Sequence, residues 1–237
     1  MTRSKPAWRN VMAVLLGLGP MYIFVIGSHI LTGGAYTLKE MLLYPLIMGS
    51  AMIFWISFLY KTLAGKDWRR INRKPGTRAR DAISGIGLGA GLLLLLLIQR
   101  GTIYRWLPGP PSNPTILTLI RGLVRDPLLL AIWLGPVVWI GVAVFEEFQR
   151  AFMLDLLTDI APKMRHKALV LFFSAGLFGL AHLYQGPAGI AGTFLFAVVM
   201  GLYYLGRGRI GPMIIGHALY DSVQIIMLVI QIRRGGG

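Results

Sequence analysis

Among the stretches of the chain that contain no Asp, Glu, Lys or Arg are residues 10–38, 41–60, 82–99, 127–145, 168–206 and 210–220. Apolar runs of roughly 18–20 residues cross a hydrocarbon core as helix, so the pattern predicts membrane spans. The stretch 168–206 is too long for one crossing. Gln185-Gly-Pro-Ala-Gly189 divides it, because proline and glycine together disfavour continued helix, and Gly206-Arg-Gly-Arg-Ile-Gly-Pro212 ends the next crossing in the same way. The expected fold class is all-α: a polytopic transmembrane helical bundle of about seven spans near 11–30, 41–60, 82–99, 127–152, 168–184, 189–206 and 211–232. After the rigid connector Trp106–Pro114, the polar positions Thr115, Thr118, Arg121 and Arg125 recur at helical spacing against Ile116, Leu117, Leu119, Ile120 and Leu123. That spacing predicts a short helix lying in the membrane interface, a bland connector or a gate to a site. Gly85, Gly87, Gly89 and Gly91 in the third span have the small-residue spacing of close helix packing. The chain divides into an N-terminal three-span region, 1–126, with a basic loop and the connector, and a core, 127–232, within one integral membrane domain.

Charge changes the picture only once it is located. The chain has 237 residues, 24 Lys+Arg against 9 Asp+Glu, and a net charge of +15. Sixteen of the 24 cations fall on one side of the predicted spans: in the N-terminal segment, in 61–80, in 163–167 and at Arg207 and Arg209. Seven (Lys39, Arg100, Arg105, Arg121, Arg125, Arg233 and Arg234) fall on the other. Lys and Arg are retained on the cytoplasmic side, so the N-terminus is expected inside, with the protein in the plasma (inner) membrane. The loop 61–80 is basic enough to lie against anionic lipids. A soluble nucleic-acid binder is not the expectation, because the surplus cations report topology. The absence of cysteine removes disulfides, thiol nucleophiles and Cys-ligated zinc. The basic N-terminus followed by an apolar run imitates a signal peptide, but it reads as a retained first span because no clean small-x-small cleavage site follows.

Ionisable side chains inside spans are expensive and mark function by default. Here they are Glu146, Glu147 and Arg150 in the fourth span, His182 in the fifth, and His217 and Asp221 in the seventh. The pairs Glu146/Arg150, Phe178/His182 and His217/Asp221 are each four residues apart, so each stacks on one helix face. Singly, each pair has a bland reading as an intramembrane ion pair, an interhelical hydrogen bond or a polar staple. Together they can be assembled into hydrolytic chemistry, with a carboxylate activating water, a histidine assisting and a second histidine with Asp stabilising an oxyanion. Ser174 and Ser222 lie in no recognisable nucleophile setting. Two His and one Glu could bind zinc, although the local HExxH spacing is absent; no other cofactor is expected.

At these residues the sequence resembles the CPBP intramembrane proteases, named for CAAX prenyl proteases and bacteriocin-processing enzymes. Their motifs are Glu-Glu-x-x-x-Arg, Phe-x-x-x-His and His-x-x-x-Asn/Asp, in that order. Phe178-Gly-Leu-Ala-His182 and His217-Ala-Leu-Tyr-Asp221 match the second and third. Val144-Phe-Glu-Glu-Phe-Gln-Arg150 is one residue short of the first. At about 100° per residue, Glu147 lies about 60° from Arg150, on the side opposite to the usual base. Either Glu146 is the base, or a local π-bulge restores the register, or catalysis has been lost. The resemblance implies an endopeptidase acting on a peptide or protein substrate in or at the membrane. His182 would assist water, His217 and Asp221 would bind the oxyanion, and Arg150 would orient Glu146. The alternatives are a non-catalytic scaffold of the same fold or a proton-coupled transporter. Depth poses one geometric demand: along the expected spans His182 lies about 20 Å from the inner end, Glu146 and His217 about 9 Å, so tilt or a later start of the fifth span must bring them together.

Overall fold

The computed structural model describes residues 6–32, 37–72, 74, 76–107 and 114–235; most of the connector 106–114 and the cations Arg3, Lys5 and Arg73 lie outside the described residues. Seven helices are long and apolar enough to cross a membrane, and no strand is present among the described residues. They are built from α1 (Ala7–Thr32), α2 (Leu38–Thr62), α3 (Arg78–Gly101), a continuous rod Pro127–Ile160, α7 (Met164–Ala181), α8 (Gly186–Arg207) and α9 (Gly211–Arg234). The rod comprises α5 (Pro127–Ile132), a π-helical segment Trp133–Val144 and α6 (Phe145–Ile160). The short α4 (Pro114–Arg125) precedes it.

Local chemistry sets the helix ends. Thr37 and Glu40 form a reciprocal capping box at the start of α2. Asp126 accepts from the backbone N–H groups of Leu128 and Leu129, with Pro127 in the first turn, at the start of α5. Gly208 ends α8 with φ 62°, a left-handed cap that favours glycine. Pro136 sits inside the π-helical segment. Proline lacks an N–H and clashes with the carbonyl of the preceding turn, and a wider turn relieves that conflict.

Three boundaries that bear on the site-bearing helices α6 and α7 differ from the sequence expectation. The fourth span continues past residue 152 to Ile160, because Asp155, which a hydropathy reading takes as an end, is 1% exposed and paired with Lys66 and Tyr60. The fifth span starts earlier, at Met164, not later. It also ends earlier, so His182 is the C-terminal cap of α7 and not an interior residue. The apolar stripe of α4 is spent on protein: Leu119, Ile120 and Leu123 are buried in one cluster with Trp133, Val137, Ala218 and Val229.

Glycines let backbones meet where the site-bearing helices cross. A Cβ on Gly85 would come within 2.6 Å of Ile215 Cβ, and one on Gly216 within 3.1 Å of the Gly85 carbonyl. These contacts seat α9, which carries His217, directly against α3. Gly141 in the π-helical segment meets the backbone of Pro45 at 2.7 Å in the same sense, fixing the rod against α2. Of the four glycines in the α3 stripe, Gly85 and Gly89 face α9, whereas Gly87 and Gly91 have nothing within 4 Å. Small residues permit this approach in lipid, where dispersion and not water exclusion drives association.

The two faces of α3 should therefore respond differently to added bulk. Gly85→Leu is expected to cost about 1–3 kcal/mol through overpacking and to lower the thermal unfolding midpoint in detergent, whereas Gly87→Leu should leave it within error. Equal tolerance of the two changes would contradict the α3–α9 packing.

Candidate active site

The middle of α6 is enclosed, with Ala151, Phe152, Leu154 and Leu156 fully buried, so its polar side chains must find partners within the protein. Arg150, 3% exposed, makes an ion pair with Glu147, which is itself 0% exposed. The guanidinium lies over Phe178 of α7, 4.3 Å from the ring centroid, and 5.5 Å from that of Phe196 of α8. An uncompensated charge here would be strongly destabilising, and the carboxylate with the two aromatic faces offsets that cost. The other oxygen of Glu147 accepts a hydrogen bond from His217 Nδ1 at 2.7 Å. Four helices thus converge on one buried ion network.

The pairing corrects one expectation from the sequence. Arg150 was expected to orient Glu146, four residues before it, but it pairs with Glu147, three residues before it. On an α-helix Glu146 and Glu147 flank the direction of Arg150 by about 40° and 60° on opposite sides. Glu147 is the one of the two that meets both Arg150 and His217 Nδ1. The π-helical segment ends at Val144, before the motif begins, so Glu146 to Arg150 is ordinary α-helix and no bulge restores the family register.

Glu146 is left facing both imidazoles. Its Oε1 lies 4.0 Å from His182 Nε2 and its Oε2 lies 3.7 Å from His217 Nε2. Each gap is within the reach of one bridging water at ordinary hydrogen-bond lengths of about 2.8 Å. The ring orientations follow from the opposite nitrogens: His182 Nδ1 donates to the Phe178 carbonyl at 2.8 Å and His217 Nδ1 donates to Glu147, so both Nε2 atoms face the Glu146 carboxylate. Asp221 Oδ2 lies 3.4 Å from His217 Nε2. The side chains of His182, Glu146 and Asp221 are 14%, 18% and 26% exposed, and those of His217 and Glu147 are 4% and 0% exposed. An accessible set therefore stands on a sealed one. Among the described residues, no group of three His, Cys, Asp or Glu side chains is placed to hold a metal ion.

All six ionisable residues singled out in the sequence come together. Measured along the helices, Glu146 is about 21 Å from the end of α6, His182 about 27 Å from the start of α7 and His217 about 9 Å from the start of α9. The α6–α7 hairpin therefore reaches further beyond the site than the α8–α9 turn, which meets the depth demand without a late start of α7. Sequence reasoning missed three contributors. Phe196 touches His217, Tyr220 and Phe178, with centroids 4.7, 5.1 and 6.1 Å away, and it lies in a charge-free run with no signal to single it out. Gln149 donates to the Tyr22 hydroxyl at 3.1 Å, joining α6 to α1. Phe178 was noted for its spacing and as the first residue of the second motif, but its role was missed: it carries Arg150 and its carbonyl receives the His182 hydrogen bond.

The family model described as type II CAAX prenyl endopeptidase Rce1-like matches residues 128–223, the stretch that contains all six residues. The match supports the CPBP resemblance of the three motifs and, at the coarse level, a protease; with the seven apolar helices it makes this an integral membrane protein. No curated protein and no solved structure matches the chain.

The two adjacent carboxylates should separate in stability. Glu147→Ala leaves Arg150 buried without its anion and is expected to cost about 3–5 kcal/mol. Glu146→Ala, at a partly open position, should unfold close to the parent in a thermal melt. A milder effect at Glu147 than at Glu146 would reverse the assignment of the structural pair.

Proposed function

On the footing that residues 128–223 are of the CPBP intramembrane protease type, we propose that the protein is an endopeptidase in which Glu146 and His182 activate a water for attack on a peptide bond. The observation that carries the proposal is the position of one carboxylate, Glu146, within a water's reach of both Nε2 atoms, 4.0 and 3.7 Å away. Its neighbour Glu147 is occupied by Arg150 and His217.

A water held between Glu146 and His182 loses a proton to Glu146, and its oxygen attacks the carbonyl carbon of the substrate. Charge moves to the carbonyl oxygen. His217, as imidazolium with Glu147 on Nδ1 and Asp221 beside Nε2, donates to that oxygen from Nε2. Collapse of the tetrahedral intermediate breaks the C–N bond, and the proton held by Glu146 passes to the departing amine. Arg150 does not touch the reacting atoms; it holds Glu147, which fixes the orientation of the His217 ring.

The substrate class proposed is membrane-associated or lipidated peptide and protein. The site lies at the end of α7 remote from the basic loop 61–80, since α2 ends and α3 begins at that loop, and α7 starts on the same side. The distribution of cations supports placing that loop and the N-terminus on the cytoplasmic side of the plasma (inner) membrane.

Cleavage of quenched-fluorescent peptides, with and without a C-terminal lipidated residue, in proteoliposomes is the test. Glu146→Ala and His182→Ala are expected to lower kcat by about 10²–10⁴-fold, and His217→Ala by about 10²–10³-fold, with folding retained. Parent-like turnover in Glu146→Ala would remove it as the base.

A further inference from the structure

The sequence presents 61–80 as one basic loop, but the structure sorts its cations into two groups. One group faces inward. Lys66, 7% exposed, lies 2.8 Å from Asp155 and 2.6 Å from Asp159 on the last turns of α6, and Tyr60 donates to Asp155 at 2.6 Å. Asn72 Oδ1 accepts from the Ile210 N–H, which caps the start of α9, at 3.1 Å. Lys74 Nζ donates to the Gly206 carbonyl at 2.8 Å, and Arg209 Nη1 donates to the Lys74 carbonyl at 2.6 Å. Arg209 also pairs with Asp81 through Nε at 2.7 Å, a hydrogen bond that raises its already high pKa, so the tie stays charged. A Cβ on Gly76 would meet Arg209 Cζ at 2.5 Å, so the guanidinium lies directly on the backbone there. These ties bind the segment to the ends of α6, α8 and α9.

The other group faces outward. Arg69, Arg70, Arg78 and Arg80 are exposed, and among the described residues no carboxylate pairs with them. The two acids within the segment are already engaged: Asp67 caps the turn at Trp68–Ile71 and Asp81 holds Arg209. Four guanidinium groups thus stand unneutralised at the end of the spans where headgroups lie.

We propose that the described residues of 66–81, namely 66–72, 74 and 76–81, form a strap whose outward arginines seat on an anionic phospholipid surface and whose inward ties hold the ends of α6 and α9 in register. Guanidinium forks match phosphate oxygens, and each cation near an anionic leaflet adds to the attraction. The lipid holds the strap, and the strap holds the start of α9, two turns from His217. The strap requires no assumption about peptide hydrolysis.

The test uses the full chain in detergent with added dioleoylphosphatidylglycerol or dioleoylphosphatidylcholine, read by native mass spectrometry and by thermal unfolding. The parent is expected to retain phosphatidylglycerol at least fivefold over phosphatidylcholine and to gain Tm with the anionic lipid alone. Arg69→Gln/Arg70→Gln/Arg78→Gln/Arg80→Gln should bring retention of the two lipids within twofold. Asn72→Ala should keep the parent's lipid retention but lose at least half of the lipid-dependent gain in Tm. Undiminished anionic-lipid retention in the quadruple variant overturns the lipid surface. A full gain in Asn72→Ala overturns the coupling, and an equal gain from inorganic phosphate alone shows a soluble-anion site instead. Because neither readout depends on turnover, these outcomes stand apart from loss of activity in Glu146→Ala.

Discussion

A guanidinium enclosed in the middle of a membrane protein cannot be left uncompensated, and Arg150 is 3% exposed. Its needs set the arrangement around it. Glu147 must lie against it, so Glu147 is unavailable to solvent, and its second oxygen is free to take the His217 N–H. Phe178 and Phe196 must offer their faces, so α7 and α8 are held at that level. What remains is Glu146, rotated to the other side of Arg150, looking at two Nε2 atoms from a position that solvent reaches in part. Glu146 is left to face both Nε2 atoms because Glu147 is taken by Arg150.

The same logic operates a second time near the end of α6. Lys66 and Asp155 are both buried, and each is tolerable only because the other, with Tyr60 and Asp159, is present. This pair lets α6 run on as helix past a carboxylate that a hydropathy profile takes as its end. The extra turns move Glu146 deeper along its helix and bring it level with His182, so the ion pair at the end of α6 has a consequence at the site. Glycine supplies the remaining precision. Gly85, Gly89 and Gly216 seat α9 on α3, and Gly141 seats the rod on α2. A crossing at backbone contact has little freedom to slide.

Much of the fold was legible because hydrocarbon imposes a simple rule: charge-free runs long enough to cross must be helices, and Gly-Pro clusters must end them. The six ionisable residues were legible for the same reason, as exceptions to that rule. The helix limits were not, since Asp155 reads as polar in sequence and is paired with a lysine 89 positions away. Phe196 was not legible either, being one aromatic residue among many in an apolar run. The basic loop was read as a stretch basic enough to lie against anionic lipids; that acceptors on α6 and α8 meet Lys66 and Lys74 within it was not legible.

By itself the sequence determined a helical membrane bundle, the number and order of its spans, and the set of side chains able to do acid–base chemistry within it. Hydropathy and spacing act along one chain, and those properties need nothing else. Only the tertiary structure decided which of two adjacent carboxylates faces the Nε2 atoms of both imidazoles. Glu146 and Glu147 flank Arg150 by similar angles on opposite sides of one helix. The choice between them rests on which side the other helices occupy, and that is a property of packing between elements far apart in the chain.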